Sequence, residues 1–321
     1  MKAFWLWISR QGRRGPGLVL RGLCMGAANM VPGVSGGTIA LITGIYDELV
    51  RTVAGIDMEV GRLLLRGRLT AALERANAGF VLPLLGGIMV AIVSLARLIS
   101  LLLEHYPQPV FGFFTGLIVA SALFVGRQVY RWNAARAICL ATGVGFGLAA
   151  GSLVPVETGA NLPQFFLAGM VAVMAMILPG LSGSFLLVIM GKYQQALIAV
   201  HERHVDLLAA FGAGGLLGVL LFSRLLKVLL ARYHAGTMAF LVGLMLGSVR
   251  KVWPFRQVLE IQELGDRVVI LRDRWVWPAE YTPEAIATFA MMVVGVLLVP
   301  VLERLGRRVW RHQPQAAIPG L

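Results

Sequence analysis

Residues 22–49 read GLCMGAANMVPGVSGGTIALITGIYDEL, and residues 176–193 read MILPGLSGSFLLVIMGKY. Both stretches are apolar, and both are interrupted by Pro-Gly-x-Ser-Gly followed by Gly or Ser, at 32–37 and at 179–184. Proline removes a backbone donor and glycine favours non-helical dihedral angles, so a helix should end and restart at each interruption. We therefore predict a broken membrane helix in each stretch.

The composition around these stretches is that of a polytopic membrane protein. Of the 321 residues, 58% are hydrophobic and only 14% are charged, whereas a soluble domain has about 25% charged residues. The mean hydropathy is +0.77. An all-α fold follows, because apolar segments long enough for a ~30 Å hydrocarbon layer recur along the chain. The predicted spans are 80–103, 110–126, 134–154, 207–226, 235–249 and 285–302.

The two interruptions belong to a duplication of the chain. A shift of 147 residues places the first motif on the second, and a shift of 127 residues places later spans of the first half on those of the second. Each copy is predicted to hold one re-entrant broken-helix hairpin and three spans. The predicted units are an interfacial segment at 1–17, repeat 1 at 18–155 with its hairpin at 18–46, repeat 2 at 156–306 with its hairpin at 165–193, and a basic tail at 307–321.

Charge sets the predicted orientation of these units. The formal net charge is +13, from 29 Lys and Arg against 16 Asp and Glu. The basic residues lie mostly between apolar segments, which is typical of topology signals that face anionic lipid, and no nucleic-acid motif accompanies them. With a cytoplasmic N-terminus, 20 basic residues fall inside if both broken segments return to the side they entered, but only 13 if both cross. The positive-inside rule favours re-entrant hairpins.

Three crossings per repeat is an odd number, so the second repeat should be inverted relative to the first, with both termini in the cytoplasm. In inverted-repeat transporters the discontinuous helices meet near the membrane midplane and form the substrate site. The extramembrane loop at 253–284 then lies outside. Within it, 259–263 and 267–271 around Gly265-Asp266 predict a small β-hairpin.

The duplicated motif is the candidate binding site. A glycine-rich break before a helix start offers free N–H groups, a positive dipole end and hydroxyls, which suit a phosphate or carboxylate. The alternative is that proline and glycine merely permit a tight turn between packed helices. We predict no catalytic residue, no metal site and no cofactor. The candidate substrate-binding residues are Asn29, Pro32, Gly33, Ser35, Gly36, Gly37, Thr38, Pro179, Gly180, Ser182, Gly183, Ser184, Arg97 and Arg224.

The two arginines of that set occupy equivalent positions in the repeats, within or at the ends of spans. An intramembrane cation is costly and so indicates function, but an arginine near a span end can instead extend its guanidinium to the interface. Asn29 precedes the first break where Met176 precedes the second, so the two half-sites are not equivalent.

Several polar residues follow the breaks. Lys192, Tyr46 and Tyr193 end the second half-helices, where interfacial anchoring explains them. Asp47 and Glu48 are candidates for a coupling proton, with a solvated loop start as the alternative.

The quoted stretches, together with GLMLGS at 243–248, resemble the signature segments of the bacterial polyprenyl-phosphate transporter family over about 22–306. The resemblance implies a translocase of the bacterial inner membrane. Its substrate would be undecaprenyl phosphate, the lipid carrier of cell-wall precursors, which it would return to the cytoplasmic leaflet. The residues by themselves indicate only an anion-binding inverted-repeat site, and they leave the oligomeric state open.

Two other functions compete with this interpretation. A carrier of a small soluble anion would use the same chemistry at the breaks. A rhomboid-like intramembrane serine protease would use Gly-x-Ser-Gly at Ser35 or Ser182, but such a serine needs a base at the same depth. The five histidines fall in loops or at span ends, which disfavours the protease.

Overall fold

The computed structural model describes residues 14–31, 34–153, 158–264, 267–278 and 280–310. There the chain forms fourteen helices and one β-hairpin. The first half holds α1 (Gly15–Asn29), α2 (Gly36–Ile42), α3 (Tyr46–Ala54), α4 (Met58–Leu65), α5 (Leu69–Arg75), α6 (Ala78–His105), α7 (Pro107–Arg127) and α8 (Ala134–Gly151). The second half holds α9 (Leu162–Ile177), α10 (Gly183–Ile189), α11 (Lys192–His201), α12 (Val205–Arg232), α13 (His234–Val252), β1 (Arg256–Leu264), β2 (Arg267–Trp275) and α14 (Pro283–Trp310).

Both broken segments are interrupted where the motif predicts. α1 ends at Asn29 and α2 begins at Gly36, while α9 ends at Ile177 and α10 begins at Gly183. In the second break Gly180 has φ +85°, a conformation that favours glycine. α2 and α10 have 7 residues each, and such a helix rises only about 10 Å, far less than a ~30 Å hydrocarbon layer.

Six helices of the described chain are long and apolar enough to cross a membrane, and each overlaps one of the six predicted segments. They are α6, α7, α8, α12, α13 and α14 as far as Arg304. α10 and α11 are bent by 104° at their junction and would make a seventh only if they formed one span. The predicted all-α polytopic membrane fold is confirmed, and its division into two inverted repeats stays a prediction.

The β-hairpin also occurs where the sequence predicts it, as an antiparallel pair in which Arg256 lies opposite Trp275. Its predicted turn, Gly265-Asp266, lies outside the described residues. At the base of the hairpin the Trp253 and Trp275 rings stack at 5.5 Å, and the Trp275 indole donates to the Arg250 carbonyl. These contacts hold the hairpin against the end of α13.

Glycines bring the first long helix of each half against its broken segment. Gly22 on α1 and Gly87 on α6 each lie so near the facing helix that a Cβ atom would overlap its backbone. Gly169 on α9 and Gly214 on α12 are in the same situation. These two pairs are equivalent under the sequence shifts of 147 and 127 residues, so both halves use one packing solution.

The remaining long helices pair across the halves. α7 packs against α14 around Gly116 and Gly295, and α8 packs against α13 around Gly143 and Gly243. A Cβ atom at Gly247 would lie 2.9 Å from the Cα atom of Gly147. The sequence has Gly-x-x-x-Gly spacing at 143–147 and 243–247, which is typical of such close helix packing. The third long helix of each half therefore packs against the second long helix of the other half.

The change from a shift of 147 to one of 127 residues predicts one longer loop at 47–79 in the first half, but the structure has α3, α4 and α5 in that stretch. The Asp57 carboxylate caps α4 by accepting from the Val60 amide and pairs with Arg75 at 2.6 Å. The hydrogen bond from Arg75 lowers the pKa of Asp57 to about 2. The predicted flanking segments lie largely outside the described residues, at 1–13 and 311–321.

Candidate functional site

The two breaks lie against each other. The Ser35 hydroxyl donates to the Leu178 carbonyl at 3.0 Å and to the Met176 carbonyl at 3.3 Å. A Cβ atom on Gly37 would lie 2.6 Å from the Ile177 carbonyl oxygen. The described part of the first motif is therefore seated on the end of α9.

The backbone amides of the first break are already occupied. The Gly36 amide donates to Asn29 Oδ1 at 2.6 Å, and the Gly37 amide donates to Ser35 Oγ at 3.1 Å. The Thr38 amide donates to the Ser35 carbonyl at 3.0 Å. The start of α2 thus lacks the free donors that the sequence predicts for it. Two predicted site residues, Pro32 and Gly33, lie outside the described residues.

The second break has the free donors instead. No described group accepts from the amides of Gly183, Ser184 and Phe185. The Ser182 hydroxyl does not cap the helix, because it lies 2.9 Å from the Ser184 hydroxyl. Met176 stands where Asn29 stands in the first copy, and its thioether is no substitute for an amide oxygen.

The end of α13 places a cation beside this second break. Lys251 Nζ lies 4.1 Å from the centroid of the Phe185 ring. One turn earlier on α13, the Ser248 hydroxyl faces the break, since a Cβ atom on Gly180 would lie 2.9 Å from its oxygen. Sequence reasoning counted Lys251 only as a topology signal. Lys251 follows Ser248, the last residue of GLMLGS, by three residues, so the two lie on one face of the helix. This spacing could have indicated its position.

Two buried hydroxyl groups of the described chain have no hydrogen-bond partner, and one of them belongs to the predicted site. They are Thr38 Oγ1 and Tyr46 Oη. An unpaired buried hydroxyl costs roughly 1–3 kcal/mol, so such groups are usually satisfied by water or a ligand. Thr38 therefore marks a place beside the first break where a polar group would be stabilised.

Arg97 and Arg224 are exposed, on α6 and α12. An Arg224 Nη2 donates to the Ile56 carbonyl at 3.3 Å, which links α12 to the segment after α3. None of the described contacts of either arginine reaches a break. Their role in binding the substrate stays a prediction.

Lys192 is buried, so its environment is not that of an interfacial anchor. Only 1% of its surface is exposed, and its ammonium donates to Gln164 Oε1 at 2.9 Å, to Gln195 Oε1 at 2.8 Å and to the Gly159 carbonyl. These partners lie before and within the first turn of α9 and on α11. These hydrogen bonds hold the start of α11 beside the start of α9.

The first broken segment contains a second buried cation, which sequence reasoning also missed. Arg21 on α1 is 7% exposed and interacts electrostatically with Glu48 on α3. Glu48 and Gln195 are equivalent under the 147-residue shift. In both halves a buried cation therefore lies near this equivalent position, Arg21 near Glu48 and Lys192 beside Gln195.

The geometry of the two motif serines is not that of a nucleophile. Ser35 donates to two carbonyl oxygens, and Ser182 contacts Ser184. The partners of the histidines in the described chain lie elsewhere, such as Asp47 for His234 and Glu202 for His204. Within the same residues, no group of three or more His, Cys, Asp or Glu could hold a metal ion.

The sequence is similar to those of known membrane transporters. The sequence model of the undecaprenyl phosphate translocase-like family matches residues 25–267. The chain is 37% identical over 297 residues to the polyprenyl-phosphate transporter of Vibrio cholerae serotype O1, which covers 90% of this chain and 96% of that protein. It is 29% identical over 255 residues to the polyprenyl-phosphate transporter of Staphylococcus aureus, covering 74% and 85%. No solved structure matches.

Proposed function

The chain belongs to the undecaprenyl phosphate translocase-like family, and from that premise we propose that it flips undecaprenyl phosphate, or a related polyprenyl phosphate, across the bacterial inner membrane. It is a multi-pass membrane protein and, like its relatives, a transporter rather than an enzyme. The proposed direction returns the lipid carrier to the cytoplasmic leaflet. No cofactor enters the proposal.

The observation that carries the proposal is the set of donors at the second break. Three consecutive amides, Gly183 to Phe185, have no described partner, the hydroxyls of Ser182 and Ser184 adjoin them, and Lys251 lies over Phe185. A phosphate monoester carries up to two negative charges and accepts several hydrogen bonds, which are strongest when charged groups take part. We place the head group here, with the unpaired Thr38 hydroxyl on the facing break.

The difference between the two halves supports alternating access. Every residue of α2 is buried, whereas in α10 only Gly183 and Ile189 are. α3 packs against α12, but the corresponding α11 has no comparable packing against α6 in the described chain. If the first half took the less buried arrangement and the second half the more buried one, the head group would become accessible from the opposite face of the membrane. The polyprenyl tail is too long to enclose and stays in lipid throughout.

Contacts at one end of the molecule support the re-entrant topology that charge favours. The Arg224 side chain bonds to Ile56, and His234 lies 3.6 Å from Asp47, so the segments after α3 and before α13 share an end. The crossing arrangement would place them on opposite sides. We propose that this end, both termini and the surrounding anionic lipids are cytoplasmic.

Single cysteines test this orientation. In a cysteine-free variant of the full chain, cysteines at Arg62 and Arg131 should be shielded from an impermeant reagent added outside spheroplasts. A cysteine at the exposed Ala160 should react. Reaction at Arg62 without permeabilisation would overturn the proposed topology.

The function is tested with the purified full chain in proteoliposomes. A fluorescent polyprenyl phosphate should become inaccessible to an added phosphatase at a rate that increases with protein density. Inorganic phosphate should compete poorly, because it lacks the tail. Uptake of radiolabelled phosphate with no flipping would instead favour a carrier of small soluble anions. Covalent labelling of Ser35 or Ser182 by a fluorophosphonate would favour the protease.

A further inference from the structure

A cavity of about 610 Å³ lies where α8 begins, α12 ends and α13 begins. None of its lining residues belongs to either break, and none is among the candidate site residues from the sequence. The volume lies in the range typical of sites for small organic ligands and is large for a phosphate ion alone.

Two arginines and a histidine line this cavity. Arg136 is half-buried, and its Nη1 donates to the carbonyls of Tyr130 and Arg131, so neutral acceptors rather than a carboxylate hold it. Arg232 makes no hydrogen bond or ion pair with any described residue. The Nε2 atom of His234 lies 3.6 Å from a carboxylate oxygen of Asp47. Guanidinium groups that are not neutralised by carboxylates favour a phosphate, which they bind through two parallel hydrogen bonds.

Apolar side chains also line the cavity. Cys139, Leu229 and Phe240 line it, and they lie on the spans α8, α12 and α13. The lining therefore changes from cationic at the helix ends to apolar along the spans. A lipid has the same arrangement, with a charged head group above a hydrocarbon chain.

We propose that this cavity binds the phosphate head group of a membrane lipid between Arg136 and Arg232, with the first part of its chain against Leu229 and Phe240. The contacts from His234 to Asp47 and from Arg224 to Ile56 place it beside the end of the first broken segment. It is a second lipid site, separate from the breaks. The inference rests on the proposed function only in naming polyprenyl phosphate as the first lipid to test.

The chain carries a reporter in this cavity. It has two cysteines, and Cys24 lies on α1, so the Cys24→Ala variant leaves Cys139 as the single thiol. The full-length variant, in nanodiscs of neutral phosphatidylcholine, is treated with a maleimide. We expect polyprenyl phosphate added to the nanodiscs to slow modification of Cys139. Phosphatidylglycerol and inorganic phosphate are tested in parallel at equal phosphate concentration.

The arginines decide whether the protection comes from the cavity. Arg232→Gln and Arg136→Gln, each in the Cys24→Ala background, should raise the lipid concentration for half-protection about tenfold or more, as expected for losing one charge-assisted hydrogen bond. Arg232→Gln is the safer variant, because Arg136 also holds the neighbouring loop. Lys227→Gln is the matched control, since Lys227 is an exposed cation on α12 that does not line the cavity. It should leave protection unchanged.

Each outcome has a defined meaning. Protection by polyprenyl phosphate alone supports the proposal and assigns the cavity to the substrate, and equal protection by phosphatidylglycerol supports it with bulk anionic lipid as the source. Equal protection by inorganic phosphate, no protection, or protection unaffected in Arg232→Gln overturns it. This assay measures binding without transport. If lipid protects Cys139 but the chain does not flip lipid, the proposed function is refuted and the proposed lipid site in the cavity is not.

Discussion

The two breaks have nearly the same sequence and different hydrogen bonding. In the first, the amides of Gly36 and Gly37 bind side chains of the same segment, and the whole of α2 is buried. In the second, the amides of Gly183 and Ser184 have no described acceptor and most of α10 is not buried. The two copies of the motif thus differ in how their amides are hydrogen-bonded and in how deeply the following helix is buried.

Two substitutions between the copies account for much of this difference. Asn29, the acceptor for Gly36, corresponds to Met176, and Phe124 in the first half corresponds to Lys251, the cation beside the second break. With Asn29 present the first copy binds its own amides, and with Met176 in that place the second copy leaves them without a described acceptor. The comparison teaches that a duplicated motif does not imply two equal binding sites.

The strongest test of the comparison removes the cation from the second break. Lys251→Gln should reduce flipping of polyprenyl phosphate in proteoliposomes by about tenfold or more, because hydrogen bonds to charged groups are worth roughly 1.5–3 kcal/mol. Arg250→Gln removes the neighbouring cation of α13 and should have little effect. Equal rates for Lys251→Gln and the parent chain would remove Lys251 from the site.

A second variant would make the second break resemble the first. Met176→Asn places an amide oxygen where it can accept from Gly183, because a Cβ atom on Gly183 would lie 2.7 Å from the Met176 Cγ atom. Flipping should fall several-fold, with slower hydrogen exchange at the Gly183 and Ser184 amides. Met176→Leu offers no acceptor and should retain both properties. Faster flipping in Met176→Asn would contradict the assignment of these amides to the substrate.

The motif serines should differ in stability more than in transport. Ser35→Ala removes a helix cap and a contact between the breaks, which should lower the free energy of unfolding by about 1–2 kcal/mol. Ser182→Ala removes only a contact with Ser184 and should cost less than about 1 kcal/mol. Both variants should keep partial flipping. Denaturant unfolding in detergent gives the first quantity, and complete loss of transport in either variant would favour a nucleophilic serine.

The smallest effects are expected at Arg97 and Arg224. Both side chains are exposed, so substitution by Lys and then Gln should lower flipping in that order and by only about two- to threefold. Arg224→Gln should have the larger effect, because it also loses the contact with Ile56. Rates that fall as steeply as those of Lys251→Gln would show that an arginine binds the head group directly.

Features set by local sequence could be predicted, and those set by distant neighbours could not. Hydropathy places the six spans, the two motifs place the breaks, and turn residues place the β-hairpin. The capping of Gly36 by Asn29 could not be predicted, because it depends on how α1 folds back over the break. The position of Lys251 depends on how α13 approaches the second break at Gly180. The burial of Lys192 depends on polar partners supplied by another helix.

The exchange of long helices between the halves has a consequence for biosynthesis. α7 and α8 leave the ribosome before α13 and α14, whose backbones later fill the grooves at Gly116 and Gly143. Until α14 has been synthesised, the groove at Gly116 on α7 has no partner from its own chain. Lipid or an insertion factor must cover it during that time. We therefore expect that the amino-terminal half does not fold as an independent unit and that a chain truncated before α13 is a substrate for membrane proteases.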